Sequence, residues 1–170
     1  MNMSQGLEGR VKMLEDIQEI RRLKSLYCRI CDTGYDKPLP ERKRLKDIFT
    51  EDGIWDTGFY VIKVGEQDPP AGSDWPFGMG VHYSINGAIE VTGDSARGYW
   101  HGLIPLTTPD GEAEWCAGIY EEDYQRTPTG WKYKKLKFHP AFMSPHGKGW
   151  AEKATLTHQE KARHALWSEA

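Results

Sequence analysis

Apolar residues recur at spacings of three and four along the N-terminal part of the chain, the pattern of an amphipathic helix with one buried face. This helix is predicted to end at about Cys31, because Gly34 can form a left-handed cap and Pro38 and Pro40 prevent continuation. Its apolar positions are Leu7, Val11, Leu14, Ile17, Ile20, Leu23, Tyr27 and Ile30.

A shorter helix is predicted next. Its apolar stripe is formed by Leu45, Ile48 and Phe49, and the basic run at 42–44 lies on its other side. A run of like charges beside an apolar stripe is typical of a solvated helix face, so we expect these three basic side chains to point into water.

The pattern changes to an alternating, β-rich one after the turn signal Glu51-Asp52-Gly53. The residues at 92–94 and 127–130 are typical of hairpin turns between antiparallel strands. Strands are predicted near 54–56, 60–64, 81–91, 96–103, 114–126 and 131–142.

The alternation slips within the last predicted strand. Trp131 and Tyr133 share one parity, whereas Leu136 and Phe138 share the other, which predicts a β-bulge near Lys134. Bulges curve sheets. We therefore expect an α+β fold in which a curved, mainly antiparallel mixed sheet wraps around the long helix as a cone with an internal apolar pocket.

Two segments fall outside this regular pattern. Residues 65–80 are rich in Pro and Gly and predict a long loop at the mouth of the pocket. Residues 146–170 are weakly patterned and form either a tail that packs on a neighbouring subunit or a frayed helix. The expected organisation is one cone domain at 1–145 followed by this tail.

Composition narrows the classes of function. A chain of 170 residues can bury one hydrophobic core, and a net charge of −3 gives no general reason to bind nucleic acid or an anionic membrane. No apolar run is long enough for a membrane helix, so a soluble cytoplasmic protein is expected. Three cysteines without paired metal motifs favour reduced, buried thiols and no bound metal.

Aromatic residues are numerous, with seven Trp, eight Tyr and five Phe. Such side chains build cores, but they also line pockets for flat apolar ligands. The predicted sheet supplies several candidates for a pocket wall, although core packing explains the aromatic ones equally well. These candidates are Trp100, His101, Tyr120, His139 and Phe142.

Asp32 and His82 are the first candidates for chemistry. An aspartate near a helix C-terminus faces the negative end of the helix dipole, so Asp32 needs another reason to be there. It either lies in solvent, forms a local turn bond to Gly34, or reaches His82 at the start of a predicted strand. In the last case, a carboxylate that accepts the Nδ1 proton would leave Nε2 as a base.

Tyr27 is a third candidate. It lies five residues before Asp32, about 140° away around an ideal helix, so both reach one site only if the helix loosens at its end. Its side chain either packs in the core or donates a hydrogen bond to a departing or carbonyl oxygen.

The order of several short motifs resembles the SnoaL-like proteins of the nuclear-transport-factor-two-like superfamily. The resemblance covers roughly residues 10–143 and adds Trp55 and Asn86 to the candidate pocket residues. The motifs are Leu-Tyr-Cys-Arg-Ile-Cys-Asp at 26–32, Phe-Thr-Glu-Asp-Gly-Ile-Trp at 49–55, His-Tyr-Ser-Ile-Asn at 82–86, Gly-Ile-Tyr at 118–120 and Gly-Trp-Lys at 130–132.

Within that superfamily the chain is most similar to scytalone dehydratase, the bile-acid dehydratase and the hexachlorocyclohexane dehydrochlorinase. The resemblance implies that Asp32 and His82 are the catalytic pair and that Tyr27 assists departure of an oxygen leaving group. It also implies a homotrimer without a metal or organic cofactor, and an aromatic or polycyclic, hydroxylated substrate. The chain differs from these enzymes in its long 65–80 loop and in His101 and His139.

Four hypotheses about the function follow. The first is a cofactor-independent lyase of the dehydratase type. The second is a carbon–carbon lyase that releases formaldehyde from a lignin-derived diaryl compound. The third is a non-catalytic ligand-binding protein or a dioxygenase β-subunit, and the fourth is a polyketide-type cyclase.

Overall fold

The computed structural model describes residues 6–33, 41–66, 68 and 78–153. The first element is a long helix, α1, at Leu7–Cys31. A single 3-10 turn at Arg42–Arg44 and a short helix, α2, at Leu45–Ile48 follow. A third helix, α3, lies at Gly149–Lys153, after the sheet.

Six strands form one sheet in the order β2-β1-β6-β5-β4-β3, with β1 parallel to β6 and every other pair antiparallel. The predicted α+β class and the mixed, mainly antiparallel sheet are confirmed. The strands are β1 (Phe49–Asp56), β2 (Val61–Lys63), β3 (Tyr83–Thr92), β4 (Ser95–Thr107), β5 (Ala113–Thr127) and β6 (Gly130–Pro145).

The C-terminal half of α1 supplies the helix's part of the core. Ile20 and Ile30 are fully buried there, whereas Leu7, Val11 and Leu14 are exposed in this chain. The predicted apolar stripe is therefore wrong as a core stripe for its first turns, because the sheet packs only on the later ones.

Both predicted hairpins and the predicted bulge are confirmed. Gly93, with φ +60°, lies in the β3–β4 turn, and Gly130, with φ +108°, lies at the β5–β6 turn. Lys134 is the extra residue of the bulge, since Asp123 pairs with Lys135 and the next residue of β5 pairs with Tyr133. Trp131, Tyr133, Leu136 and Phe138 thus all point into the core.

The turn predicted at residues 51–53 is wrong. These residues lie inside β1, which begins at Phe49 and pairs with β6 on both sides of an irregularity. The carboxylate of Asp52 accepts hydrogen bonds from Thr50 and Lys134, so this side chain has its partners within the sheet. The preference of these residues for a turn is overridden because β1 pairs with β6, a strand distant in sequence, on both sides of them.

The prediction that the basic residues at 42–44 point into water holds for Lys43 and Arg44 and is wrong for Arg42. Arg42 is only 2% exposed and points inward, whereas Arg44 is exposed and pairs with Glu41. The backbone N–H of Glu41 donates to the carbonyl of Ile30, which fixes this turn against α1 and directs Arg42 toward the interior of the cone.

Several expectations fall on residues outside the described ranges. The predicted cap at Gly34, both prolines after it and most of the 65–80 loop are among them. The tail is described only as far as Lys153. Within the part of the chain that the structure describes, no helix is both long and apolar enough to cross a membrane.

Candidate active site

Asp32 lies where α1 ends, and its backbone has turned into an extended conformation with φ −67° and ψ 146°. The next residue, Thr33, forms an antiparallel bridge with Gly80, and its backbone N–H donates to the carbonyl of Gly80 at 2.8 Å. This bridge brings His82 beside the end of the helix.

One carboxylate oxygen of Asp32 accepts two hydrogen bonds from His82. The backbone N–H and the ring Nδ1 of His82 each lie 2.8 Å from Oδ1 of Asp32. Because Nδ1 donates to the carboxylate in the neutral ring, the tautomer is fixed and Nε2 keeps its lone pair. The arrangement therefore holds a histidine base in a defined orientation.

Burial lowers the pKa of His82 below its ordinary value of 6.5, although the carboxylate of Asp32 opposes this shift. Removing the ring from water disfavours the imidazolium, and the positive charges of Arg42 and Lys24 act in the same direction. The ring is consequently neutral at neutral pH and able to accept a proton.

Tyr27 lies in the last part of α1, and its side chain contacts the ring of His82. Its ring packs edge-on against His82, with 6.1 Å between the ring centroids, and its hydroxyl accepts a hydrogen bond of 3.1 Å from Nε1 of Trp55. Burial raises the pKa of Tyr27 well above its ordinary value. Its phenol therefore remains protonated and can donate to an oxygen in the cavity.

These side chains line a cavity of about 670 Å³ between α1 and the inner face of the sheet. That volume accommodates a small organic molecule. Most of its wall is apolar or aromatic, including Ile104, Leu106, Phe138 and Met143. The polar exceptions are therefore candidates for contacts with specific groups of a ligand.

Two of the predicted wall residues line this cavity, namely Trp55 and Tyr120. Trp100 is buried in the adjacent core, where its Nε1 donates to the hydroxyl of Tyr124 at 3.3 Å. The other four, Asn86, His101, His139 and Phe142, are likewise not among the residues that line it.

The alternation of the strands explains the placements of His101 and His139, and an irregularity of β6 explains that of Phe142. Side chains at even positions of β4 and β5 face the core, so His101 points to the other side of the sheet and packs beside Tyr99. His139 pairs across that outer face with Glu121 at 3.0 Å. Phe142 follows a second irregularity of β6 and packs on Trp150.

Asn86 is displaced for a different reason. It has a positive φ of 54° and lies where the register between β3 and β4 shifts, so its side chain is exposed. Such bulged positions are compatible with asparagine, which tolerates the left-handed region.

Sequence reasoning missed Arg42 and Tyr60 as cavity residues. Nη1 of Arg42 donates to the hydroxyl of Tyr60 at 3.0 Å, and both residues line the cavity. Burial raises the pKa of Tyr60 to about 12 despite the nearby guanidinium, so this phenol also stays protonated. The isolated run of three basic residues held no signal that distinguished Arg42 from its neighbours.

Sequence reasoning also missed a buried ion pair behind the cavity wall. Nζ of Lys24 lies 2.5 Å from a carboxylate oxygen of Glu122 and 3.4 Å from the centroid of the Tyr120 ring. Both charged side chains are at most 2% exposed, and Tyr124 donates a further hydrogen bond to Glu122. The pair thus supports the inner side of a ring that faces the cavity.

The thiols of Cys31 and Cys116 also line the cavity. Burial raises the pKa of each to about 12, so neither is a thiolate at neutral pH. Among the residues that the structure describes, no group of three or more His, Cys, Asp or Glu side chains is arranged to hold a metal ion.

The family of the chain follows from comparison with known proteins. The SnoaL-like domain family matches residues 12–137, which is most of the described fold. The chain belongs to the SnoaL-like family. The resemblance predicted from the motifs is thereby confirmed. None of the curated proteins compared with the chain matches it.

Solved structures show the same fold at low identity. The type 3 hexachlorocyclohexane dehydrochlorinase of Novosphingobium barchaimii is 22% identical, with a TM-score of 0.61 over 80% of this chain and 91% of that chain. A scytalone dehydratase-like protein of Novosphingobium aromaticivorans is 15% identical, with a TM-score of 0.61 over 78% and 89%.

A third structure extends over nearly the whole chain. It is a protein of the nuclear-transport-factor-two-like type with a cystatin-like fold, also from Novosphingobium aromaticivorans. It is 21% identical, with a TM-score of 0.55 over 97% of this chain and 99% of that chain. These likenesses establish the cone-shaped fold that places the end of α1 against the sheet.

Proposed function

We propose that the chain is a cofactor-independent lyase that removes a proton from carbon and eliminates water from a hydroxylated aromatic or polycyclic substrate. The observation that carries this proposal is the pair of hydrogen bonds from His82 to one oxygen of Asp32 at the wall of an apolar cavity. Asp32 occupies Nδ1 and fixes the tautomer, and the ring lines the cavity, so Nε2 is left to act on a ligand.

The reaction begins when Nε2 of His82 removes a proton from a carbon beside a carbonyl group. The electron pair of the broken C–H bond moves toward the carbonyl oxygen and forms an enolate. It then returns to form a C=C bond as the C–O bond at the β-carbon breaks. The imidazolium that forms is stabilised by Asp32, as in other histidine–carboxylate pairs.

Departure of hydroxide needs a proton, and we assign its donation to Tyr27. Its hydroxyl already accepts from Trp55, so its own proton can be directed into the cavity. After the departing group leaves as water, the imidazolium can reprotonate the phenolate. The net change is loss of one water molecule, and both catalytic groups return to their starting states.

The probe for this reaction is 3-hydroxy-1-tetralone, a bicyclic β-hydroxy ketone. Loss of water gives a dienone that tautomerises to fluorescent 1-naphthol, so turnover is followed directly. In D2O, the enzyme is also expected to exchange the proton at C2, which NMR detects whether or not the C–O bond breaks. If the protein catalyses neither exchange nor dehydration of this β-hydroxy ketone, the proposal is overturned for this class of substrate.

Replacing Asp32 with Asn is expected to lower kcat by about tenfold to a hundredfold. A hydrogen bond to a charged group contributes about 1.5–3 kcal/mol, and each 1.4 kcal/mol corresponds to a factor of about ten in rate. The amide cannot stabilise the imidazolium and its NH2 group favours the wrong tautomer. Initial rates of 1-naphthol formation measure the loss, and Asp52→Asn on the exposed side of β1 is the matched control.

At acid pH, kcat/KM is expected to follow the titration of a single group, the ring of His82. As pH falls through the lowered pKa of His82, the ring takes up a proton and kcat/KM falls, with the midpoint below 6.5. In Asp32→Asn the midpoint moves further down, because the carboxylate that raises the pKa of His82 is gone. A pH profile that is unchanged in this variant would contradict the assignment of His82 as the base.

A further inference from the structure

Tyr120 carries a hydroxyl that faces the cavity without a partner in the described part of the chain. The residue is 1% exposed and lines the cavity. Among the described residues, no hydrogen bond involves this hydroxyl, whereas the hydroxyls of Tyr27, Tyr60 and Tyr124 each take part in one. The Tyr120 oxygen is also not one of the fully enclosed, unpaired polar atoms of these residues, so it borders open space. In a side chain this buried, that space is the cavity.

The ring of Tyr120 is held in one position by its neighbours. Nζ of Lys24 lies 3.4 Å from its centroid, and the ring of Phe138 packs at a centroid distance of 4.6 Å. On β4, Gly102 leaves room for the ring, since a Cβ there would lie only 2.6 Å from Cε2 of Tyr120. The hydroxyl therefore keeps a fixed direction, as a preorganised hydrogen-bond donor requires.

The phenol of Tyr120 is a donor at neutral pH, because burial raises its pKa well above the ordinary value. A buried hydroxyl without a partner is unfavourable, and an oxygen atom of a ligand would satisfy it. Most of the surrounding wall is apolar, so this hydroxyl marks a point where a polar atom of the ligand binds.

Tyr27 connects this hydroxyl group to the proposed base. The Tyr27 ring packs edge-on against both Tyr120 and His82, with centroid distances of 6.2 Å and 6.1 Å. In the proposed reaction, His82 takes up a proton and Tyr27 gives one to the departing oxygen. Neither of them is left to stabilise the negative charge that develops on the carbonyl oxygen, which lies only two bonds from the carbon that loses its proton.

We propose that Tyr120 donates a hydrogen bond to the carbonyl oxygen of the substrate and stabilises the enolate as it forms. This inference rests on the proposed function and adds a third catalytic residue to it. The proton stays on the Tyr120 oxygen throughout, so the phenol is unchanged at the end of the reaction. The substrate then carries a ketone or a similar carbonyl group at this point of the cavity.

Binding of 1-tetralone tests the hydrogen bond without any turnover, because this ketone lacks the hydroxyl group that would leave as water. Infrared difference spectra of the bound ketone, with and without ¹³C at the carbonyl carbon, isolate the C=O stretch. A hydrogen bond from a phenol is expected to lower its frequency relative to 1-tetralone in an apolar solvent. A ketone that does not bind, or that absorbs at the apolar-solvent frequency, overturns the proposal.

Three matched variants assign the hydrogen bond to one phenol. Tyr120→Phe keeps the ring and is expected to abolish the frequency shift. Its thermal midpoint should not fall, since the hydroxyl has no partner among the described residues. Tyr27→Phe and Tyr99→Phe, the latter on the outer face of β4, are expected to keep the shift. A shift that survives in Tyr120→Phe, or is lost equally in Tyr99→Phe, overturns the proposal.

Kinetics with 3-hydroxy-1-tetralone separate the roles of the two phenols. In Tyr120→Phe, kcat for dehydration and the rate of C2 proton exchange are both expected to fall by about tenfold to a hundredfold, with KM little changed. In Tyr27→Phe, dehydration should fall while exchange is retained, because the enolate still forms. Exchange that is unaffected in Tyr120→Phe contradicts the proposal.

Failure of this inference and failure of the lyase proposal are separate results. His82→Gln is expected to lose exchange but keep the carbonyl shift of bound 1-tetralone. If the wild type catalyses neither reaction but shows a shift that depends on Tyr120, the lyase proposal fails and the carbonyl site stands. If both reactions occur and the shift does not depend on Tyr120, only the role of Tyr120 is wrong.

Discussion

Replacing His82 with Gln is expected to reduce kcat for 3-hydroxy-1-tetralone by at least about a hundredfold. Positioned proton transfer contributes about 10²–10⁴ to rate, and glutamine can keep a hydrogen bond to Asp32 but cannot accept the substrate proton as a base. Exchange of the C2 proton in D2O should fall by the same factor, because it requires the same step. Fluorescence of 1-naphthol and NMR measure the two rates.

His139→Gln is the matched control for this variant. His139 lies on the outer face of the sheet and pairs with Glu121, outside the cavity. We expect its kcat to equal that of the wild type. Full activity of His82→Gln, with the circular dichroism spectrum and thermal midpoint unchanged, would show that His82 is not the base. Loss of activity in both variants would instead indicate a general effect of histidine substitution.

Replacing Lys24 with Met is expected to lower the free energy of unfolding by about 3–5 kcal/mol, the largest stability effect of any single substitution considered. Lys24 and Glu122 are both fully buried and only 2.5 Å apart. Removing the ammonium leaves a buried carboxylate without its cation, which is much costlier than removing both charges. Urea denaturation followed by tryptophan fluorescence gives the difference.

Two further variants test the reason for this loss. Lys24→Met combined with Glu122→Met replaces the pair with apolar side chains and is expected to recover much of the stability. Lys63→Met breaks the exposed pair with Glu66 and should change stability little. If the Lys24→Met protein is as stable as the wild type, the ion pair contributes nothing to the free energy of unfolding. The Tyr120 ring would then be held in place by other contacts.

The local pattern of the sequence predicts much of the fold. The spacing of apolar residues in α1, the glycines of the two hairpins and the parity slip at Lys134 each depend on nearby residues only, and each is found in the structure. The prediction failed at residues 51–53 because β6, a parallel strand distant in sequence, pairs with β1 at Phe49 and again from Ile54, on either side of them. Long-range pairing of this kind leaves no mark in the local pattern.

The candidate site residues also divide into those that the sequence could identify and those that depend on the tertiary structure. Asp32 could be singled out because an aspartate is unfavourable at a helix C-terminus, and His82 because it begins a strand beside the predicted mouth of the pocket. The structure brings the two into contact. His101 and His139 could not be assigned to a face, since a shift of one residue in register reverses every side chain of a strand. Which face of β4 and β5 points inward is decided by tertiary packing, in which their even positions are the buried ones.

The sequence by itself determined the long helix, the curved antiparallel sheet and the pair of residues most worth testing, because helical periodicity, turn residues and strand alternation are local properties. The tertiary structure decided which polar groups meet at the cavity and behind its wall. It turned Asp32 out of the helix toward His82, buried Arg42 beside Tyr60, and placed Lys24 against Glu122 behind Tyr120. Each of these contacts joins residues that are not neighbours in sequence, and the partners meet only once the sheet has closed around α1.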